Sequence, residues 1–196
     1  MADLQRERLV AAFGQAAAQH GWAELEIEQV LRYAGVSRAT FEAHFESKEA
    51  GLIAAQDAFF ERLWLDVIAA RDVPGDWAVK VKAALAAILS TVVESSTLAR
   101  VFAIEAAAVS FAAVERQFAA LDQLAHLLRD GRRHCPRAAS LPALTERALV
   151  GGVASIVAGH LLAEDPQAIP ILEGQIVELV LAPYIGEAEA RRVAAT

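Results

Sequence analysis

Apolar residues recur along this chain at helical spacing, and glycines, prolines and short polar runs mark where the recurrence stops. Leu4, Leu9, Val10, Phe13, Ala16 and Ala17 predict a helix over 3–19, ended by Gly21, with Trp22 folding back onto it. Ile27, Val30, Leu31 and Ala34 form the buried stripe of a second helix over 27–34. A third is predicted over 38–44 and a long fourth over 48–70, where Leu52, Ile53, Phe59, Phe60, Leu63, Trp64, Val67 and Ile68 cover more than one face. After the break at Pro74-Gly75-Asp76, helices are predicted over 77–93, 98–109 and 111–132. A basic, proline-containing loop follows over 133–141, then helices over 142–163 and 171–181, the last stopped by Pro183, and a short polar tail. No stretch alternates apolar and polar residues for long. The expected fold is all-α, with an N-terminal three-helix helix-turn-helix domain (1–47) followed by a C-terminal helical domain (48–196).

Composition sharpens this picture in three places. Hydrophobic residues make up 56% of the 196 positions, as in an all-helical protein with a large core. Cys135 is the single cysteine, which excludes an internal disulfide and a cysteine-based metal site and fits a reducing cytoplasm. It follows the basic run Arg132-Arg133-His134 but has no evident base and orienter. The polar opening predicts no signal peptide. The longest uncharged run, from Ala148 to Ala163, falls short of the roughly 20 residues a membrane span needs. That run is expected to be a buried helix in a cytoplasmic protein with no membrane partner. Net charge is −7, and the first 50 residues hold five basic against eight acidic side chains, a balance that works against strong phosphate binding.

The stretch from Gly35 to Gly51 organises the rest. Gly35 ends the second helix where a left-handed backbone is cheap only for glycine. Val36 plugs the turn, and Ser37 caps the next helix through its hydroxyl. Phe41 and Phe45, four apart, face inward together. That leaves Ala39, Thr40, Ala43 and His44 mostly outward, and Ser47 caps the long helix beginning at Lys48.

These residues carry a family resemblance. Gly-Val-Ser at 35–37, Arg38, Thr40, Phe41, His44-Phe45 and Ser47-Lys48-Glu49-Ala50 match, in order and register, the DNA-binding domain of the TetR family of bacterial transcriptional regulators. The resemblance spans 21–52; beyond it the likeness is in helical content and length, with a weaker one at Leu181-Ala182-Pro183-Tyr184-Ile185-Gly186. It implies a homodimer that sets the 38–44 helix of each protomer into the major groove of a palindromic operator on double-stranded DNA. The two helices would lie about 34–36 Å apart, until an unknown small-molecule effector shifts the 48–70 helix. The implied DNA-binding set is Ser37, Arg38, Ala39, Thr40, Ala43, His44 and Lys48. Arg38 and Lys48 are placed for phosphates, and Thr40 and Ala43 for thymine methyls. The bland reading of the same residues is a solvated helix face, and His44 is equally well read as packing within its own module. Three positions depart from the family pattern. Leu25 stands where a Thr or Ser usually caps the second helix. Glu42 replaces a Tyr that contacts the DNA backbone. Gly51 replaces a Leu, at about 1 kcal/mol of helix propensity.

For the effector, Trp64, Phe102, Glu105, Phe118, His126 and His160 are the ligand-binding candidates, against the alternative that each is plain core or surface. Glu105, within an apolar run, is either an exposed charge or a polar anchor. Ala148, Gly152, Ser155 and Gly159 make a small-residue stripe that permits close helix approach. Gly152, Ser155, Ile156 and Gly159, with Ile176 and Leu179 of the last long helix, are the candidate dimer interface, a bundle across a two-fold axis. No cofactor is expected. No metal cluster, phosphate-binding glycine loop or nucleophile–base set appears, so an enzyme has little support. The chain reads as a repressor. The competing reading, from Glu42 and the acidic first 50 residues, is a family-like protein with weakened or lost operator binding that acts through protein contacts.

Overall fold

A computed structural model describes residues 2–196, and the regular elements among them are all helical. In chain order they are α1 (Ala2–His20), α2 (Ile27–Ala34), α3 (Arg38–His44), α4 (Lys48–Ala70), α5 (Trp77–Glu94) and α6 (Ser96–Arg100). A π-helical turn (Val101–Glu105) follows, then α7 (Ala106–Val109), α8 (Phe111–Arg129), α9 (Gly131–His134) and α10 (Thr145–Leu162). α11 (Glu173–Ile185) and α12 (Glu187–Ala194) close the chain. The chain divides into two compact units, one of residues 1–62 with 96–117 and one of 63–95 with 118–196.

The first unit is built on α1. Leu9, Phe13, Ala16 and Ala17 are fully buried along it, together with Leu25, Val30, Phe41 and Leu52. The helix ends form as their residues dictate. Gly35 closes α2 in the left-handed region at φ 61°, and its N–H reaches Leu31 O at 2.9 Å. Ser37 Oγ accepts the Thr40 N–H at 3.1 Å, and Ser47 Oγ accepts that of Ala50 at 3.1 Å. The N-cap of α2 is Glu26, whose N–H is accepted by Gln29 Oε1 at 2.7 Å. Leu25 is therefore free to be core. The Phe13 ring meets Phe41 and Phe45 at 6.0 and 5.8 Å between centroids, and this cluster holds α3 on α1.

Gly51 belongs to the same cluster. A Cβ at this position would stand 2.0 Å from Phe13 Cε2. Glycine here is not a tolerated weakness in α4 but the condition for Phe13 to reach its partners.

In the second unit, Ala78, Val177, Leu181 and Ala190 form a core against which Trp77, Val81 and Leu85 pack. Asp76 caps α5 by accepting the Val79 N–H at 3.1 Å. The helix expected to run to 132 breaks at Asp130, and Gly131, the first residue of α9, lets Trp77 pack 2.3 Å from where a Cβ would be. Pro183 does not stop α11. It sits within the last turn, and the stop comes three residues after it, at Gly186 (φ 88°), whose N–H bonds Ala182 O at 2.9 Å. Residues 166–185 are long and apolar enough to cross a membrane by length and composition. Here Val177, Val180 and Leu181 of that segment are buried core.

Glu146, fully buried, ties α10 into this unit. Arg132 donates to both its oxygens, at 2.6 and 3.0 Å, and to the carbonyls of Leu141 and Pro142, each at 2.7 Å. The Tyr184 hydroxyl donates to Glu146 Oε1 at 3.0 Å, and its ring lies 4.8 Å from Trp77. Burial alone would push the Glu146 carboxyl up, but Arg132, the backbone and Tyr184 together hold it below the usual range. The expectation that the 148–163 helix is buried all round fails in the single chain. Along α10 the buried residues are Glu146 and Leu161, while Ala148, Gly151, Ser155, Ile156 and Gly159 lie exposed.

Two outcomes follow from this packing. Gly51→Ala should lower stability by about 1–3 kcal/mol in urea titration despite its better helix propensity, because the new methyl overpacks Phe13. Tyr184→Phe should lower it by about 2 kcal/mol, a lost hydrogen bond to a charged group, and Arg132→Met by more, since it strands a buried carboxylate. A depressed folded-state pKa gives stability that is present above the unfolded value and lost on acidification. The melting temperature of the native protein should therefore fall as pH drops below about 4.5, more steeply than that of Glu146→Gln.

Candidate functional site

The candidate DNA-reading surface is the outer face of α3. Phe41 and Phe45 are buried beneath it, while Ala39, Glu42 and Ala43 are exposed and His44 is half-exposed. Ser37 and Thr40 share a hydroxyl contact of 2.9 Å at the helix start. Arg38 pairs with Glu28 of α2, both exposed. Arg6, which sequence reasoning passed over, is exposed and lies 5.4 Å from the centre of the Phe45 ring. Nothing in the spacing of α1 signalled it.

Lys48 behaves differently from expectation. Its Nζ donates to Leu25 O at 2.7 Å and sits 4.3 Å from the Trp22 ring centre. The ammonium ties the start of α4 to the turn before α2, so it holds the module together rather than reaching out to a phosphate. Leu25 takes part in the same contact through its carbonyl.

The ligand-binding candidates do not converge as a set. Phe102 is buried and borders a shallow crevice with Leu52, Ile53, Gln56, Val109 and Ala113, in which a water-sized sphere finds no room. Glu105 is neither an exposed charge nor a ligand anchor: its carboxylate accepts the Trp22 N–H at 2.8 Å and pairs with Arg100 at 3.1 Å. Phe118 (65% exposed), His126, Trp64 and His160 belong to the other unit, with His126 exposed and the last two half-buried. Sequence reasoning missed Gln56. The signal was there, a lone polar residue in register with Leu52 and Phe59 on the apolar stripe of α4.

The small-residue stripe of α10 faces open space: a Cβ at Gly151, Gly152 or Gly159 would meet nothing within 4 Å. Ser155 and Ile156 are exposed beside it, as is Leu179 at 44%. Ile176, 2% exposed, is core of its own chain and drops out of the interface set, because on α11 it shares the inward face with Val180. Burial first, and then the charge of Asp76, push the Cys135 thiol up, the reverse of an activated nucleophile. Among the described residues no three His, Cys, Asp or Glu side chains gather as a metal site would need.

Residues 9–55 match the profile of the bacterial regulatory proteins of the tetR family. Among solved structures, the fatty acid degradation regulator FadR from Bacillus halodurans superposes with a TM-score of 0.80 at 20% identity, over 90% of this chain and 94% of that one. The transcriptional regulator FadR from Bacillus subtilis, in complex with stearoyl-CoA, does so with 0.70 at 17%, over 90% and 98%. A TetR-family transcriptional regulator from Rhodococcus sp. gives 0.67 at 24%, over 89% and 97%. No curated protein matches the sequence. At these identities the structural likeness speaks for the fold, and the profile speaks for the reading module, whose caps, turn and aromatic cluster are those described above. Residues 9–55 thus resemble the DNA-binding module of the bacterial regulatory proteins of the tetR family, and the chain as a whole shares the fold of the solved regulators.

Proposed function

We propose that this regulator is a cytoplasmic repressor that binds a palindromic operator as a homodimer and releases it when a small apolar effector binds. Residues 1–47 serve as the DNA-binding domain and 48–196 as the effector-binding and dimerisation domain. The observation that carries the reading is the outer face of α3, smooth and exposed at Ala39 and Ala43 over a rigid Phe13–Phe41–Phe45 base. Such a face enters the major groove without steric conflict and meets thymine methyls with small side chains. Arg38 supplies a phosphate contact by exchanging Glu28 for DNA. Ser37, Thr40 and His44 complete the contact set. The chemistry asked of the protein is binding and release, and no enzymatic step is assigned.

Dimerisation is supported by the open face of α10 and Leu179 of α11. Exposed glycines bring a partner helix close, and the apolar residues around them are what a bundle across a two-fold axis would bury. Effector release would act at the closed crevice beside Phe102, whose wall includes Leu52, Ile53 and Gln56 of α4. A molecule that spreads this wall moves the helix that follows the reading module, and a small error in the spacing of two half-site readers loses the second half-site.

Footprinting on the DNA upstream of the protein's own gene should reveal a palindrome. Affinity should fall about tenfold for each doubling of salt, the slope of roughly four neutralised phosphates. Glu42→Tyr should strengthen binding by about tenfold by removing a carboxylate that faces phosphate. Absence of any footprint at low salt, both in the native protein and in this variant, would refute operator reading; binding gained only by the variant would mean the native protein has lost it. Gly159→Arg should leave the single chain folded, since its Cβ enters open space, and sediment as a monomer; a dimer that persists would place the interface elsewhere.

A further inference from the structure

The cations of the reading module are mostly engaged within the chain. Arg8 donates to Ala34 O, Lys48 donates to Leu25 O beside the Trp22 ring, and Arg6 lies against Phe45. Arg38 is the one Lys or Arg of α3, and it opens that helix next to the exposed Ala39. Its Nη2 donates to Glu28 Oε1 of α2, with the two side chains 51% and 62% exposed. The Glu28 backbone N–H first, and then Arg38 against the opposing effect of desolvation, hold the Glu28 carboxyl below the usual range. Arg38 therefore faces a full negative charge at neutral pH. An acidic residue in the first turn of α2 also suits the helix dipole. The dipole accounts for a charge at position 28 but not for a partner drawn from the reading helix.

We propose that Glu28 is an intramolecular stand-in for phosphate, which occupies Arg38 in the free protein and competes with the DNA backbone for it. This rests on the operator-reading proposed above and adds the residue that limits its backbone affinity. A carboxylate and a phosphate both offer a guanidinium paired anionic oxygens, so the two are rivals for the same donors. When Arg38 turns to DNA it leaves Glu28 behind as an uncompensated charge beside a polyanion. The competition slows no chemistry and blocks nothing. An exposed pair of this kind is weak and screened by salt, so the exchange is readily made, and Glu28 sets its degree. Phosphates carry no sequence information, so the brake acts alike on every DNA sequence and leaves discrimination among bases to the rest of α3.

The test uses the full chain and two probes, the footprinted operator and a random-sequence duplex, both at low salt. Glu28→Gln should tighten binding to each by the same factor, about three- to fivefold, the worth of an exposed pair. In an Arg38→Gln background the same change should gain less than about twofold, because no competition is left to relieve and only direct repulsion of the phosphates is removed. In the free protein the Glu28 carboxyl, followed by NMR, should titrate at higher pH in Arg38→Gln than in the native chain. Both side chains are exposed, and the melting curve of each variant reports that it is folded. Equal gains with and without Arg38 would reduce Glu28 to one more repelling charge and overturn the proposal. So would no gain, a weaker complex, a gain on one probe alone, or a Glu28 titration that does not move. In each of these cases DNA is still bound and operator reading stands. Failure of the native chain and of every variant to bind either duplex would overturn operator reading, and the proposal with it.

Discussion

The reading module depends on a missing side chain. With glycine at 51, α4 comes close enough for the Phe13 ring to lie against its backbone, 2.0 Å from where a Cβ would be. From there Phe13 reaches both Phe41 and Phe45. A seven-residue helix such as α3 is too short to be stable by itself and takes its order from the surface it packs on. That surface is the aromatic cluster, and the cluster exists only while position 51 is empty. The outward face of α3 is therefore placed by a contact on the far side of the helix, made by residues that never approach DNA. Lys48 adds a second tie by binding Leu25 O and the Trp22 ring, which fixes the first turn of α4 to the turn ahead of α2.

Trp22 also connects this module to the crevice. Its backbone N–H is held by Glu105, the last residue of the π-helical turn, and Phe102, three residues earlier in the same turn, borders the crevice. Phe102, Glu105, Trp22 and Lys48 are thus linked by one turn of backbone and direct contacts within the first unit. Glu105, a carboxylate within an apolar run, accepts a backbone donor and an arginine, and both of its oxygens are used.

How far the sequence could be read depended on whether a residue's role was local. Capping and turn chemistry are local, so Gly35, Ser37 and Ser47 stand where their residue types required, as do the buried Phe41 and Phe45. Roles set by residues far away in the chain were misread. Gly51 looked like a propensity defect because its partner, Phe13, is 38 positions earlier. Leu25 looked like a missing cap, although the cap stands at the very next residue, Glu26, and Leu25 answers through its carbonyl to Lys48, 23 residues on. Arg132 was assigned to the end of a helix, and its real task, neutralising Glu146, came from a contact 14 residues on. Glu146 itself drew no notice, because a carboxylate at a helix start usually faces water. Gln56 was visible as a polar residue in an apolar stripe, but that its Oε1 is buried with no donor among the described residues is a property of the packed structure.

The two units solve the problem of their apolar surface in different ways. The first gathers its apolar side chains around α1, though Leu4 and Phe111 stay exposed. The second closes around the Glu146–Arg132–Tyr184 cluster yet leaves the small-residue face of α10 bare. A buried, hydrogen-bonded ion cluster adds little net stability compared with a well-packed apolar one, but it tolerates few alternative arrangements. In this unit it fixes the start of α10 in rotation, since Glu146 must point inward to meet both partners. The residues at 148, 151, 155 and 159, spaced at three and four, are then held on the outward face. A helix apolar nearly all round has no side of its own to bury. The buried carboxylate at its first turn is what decides which side is left open.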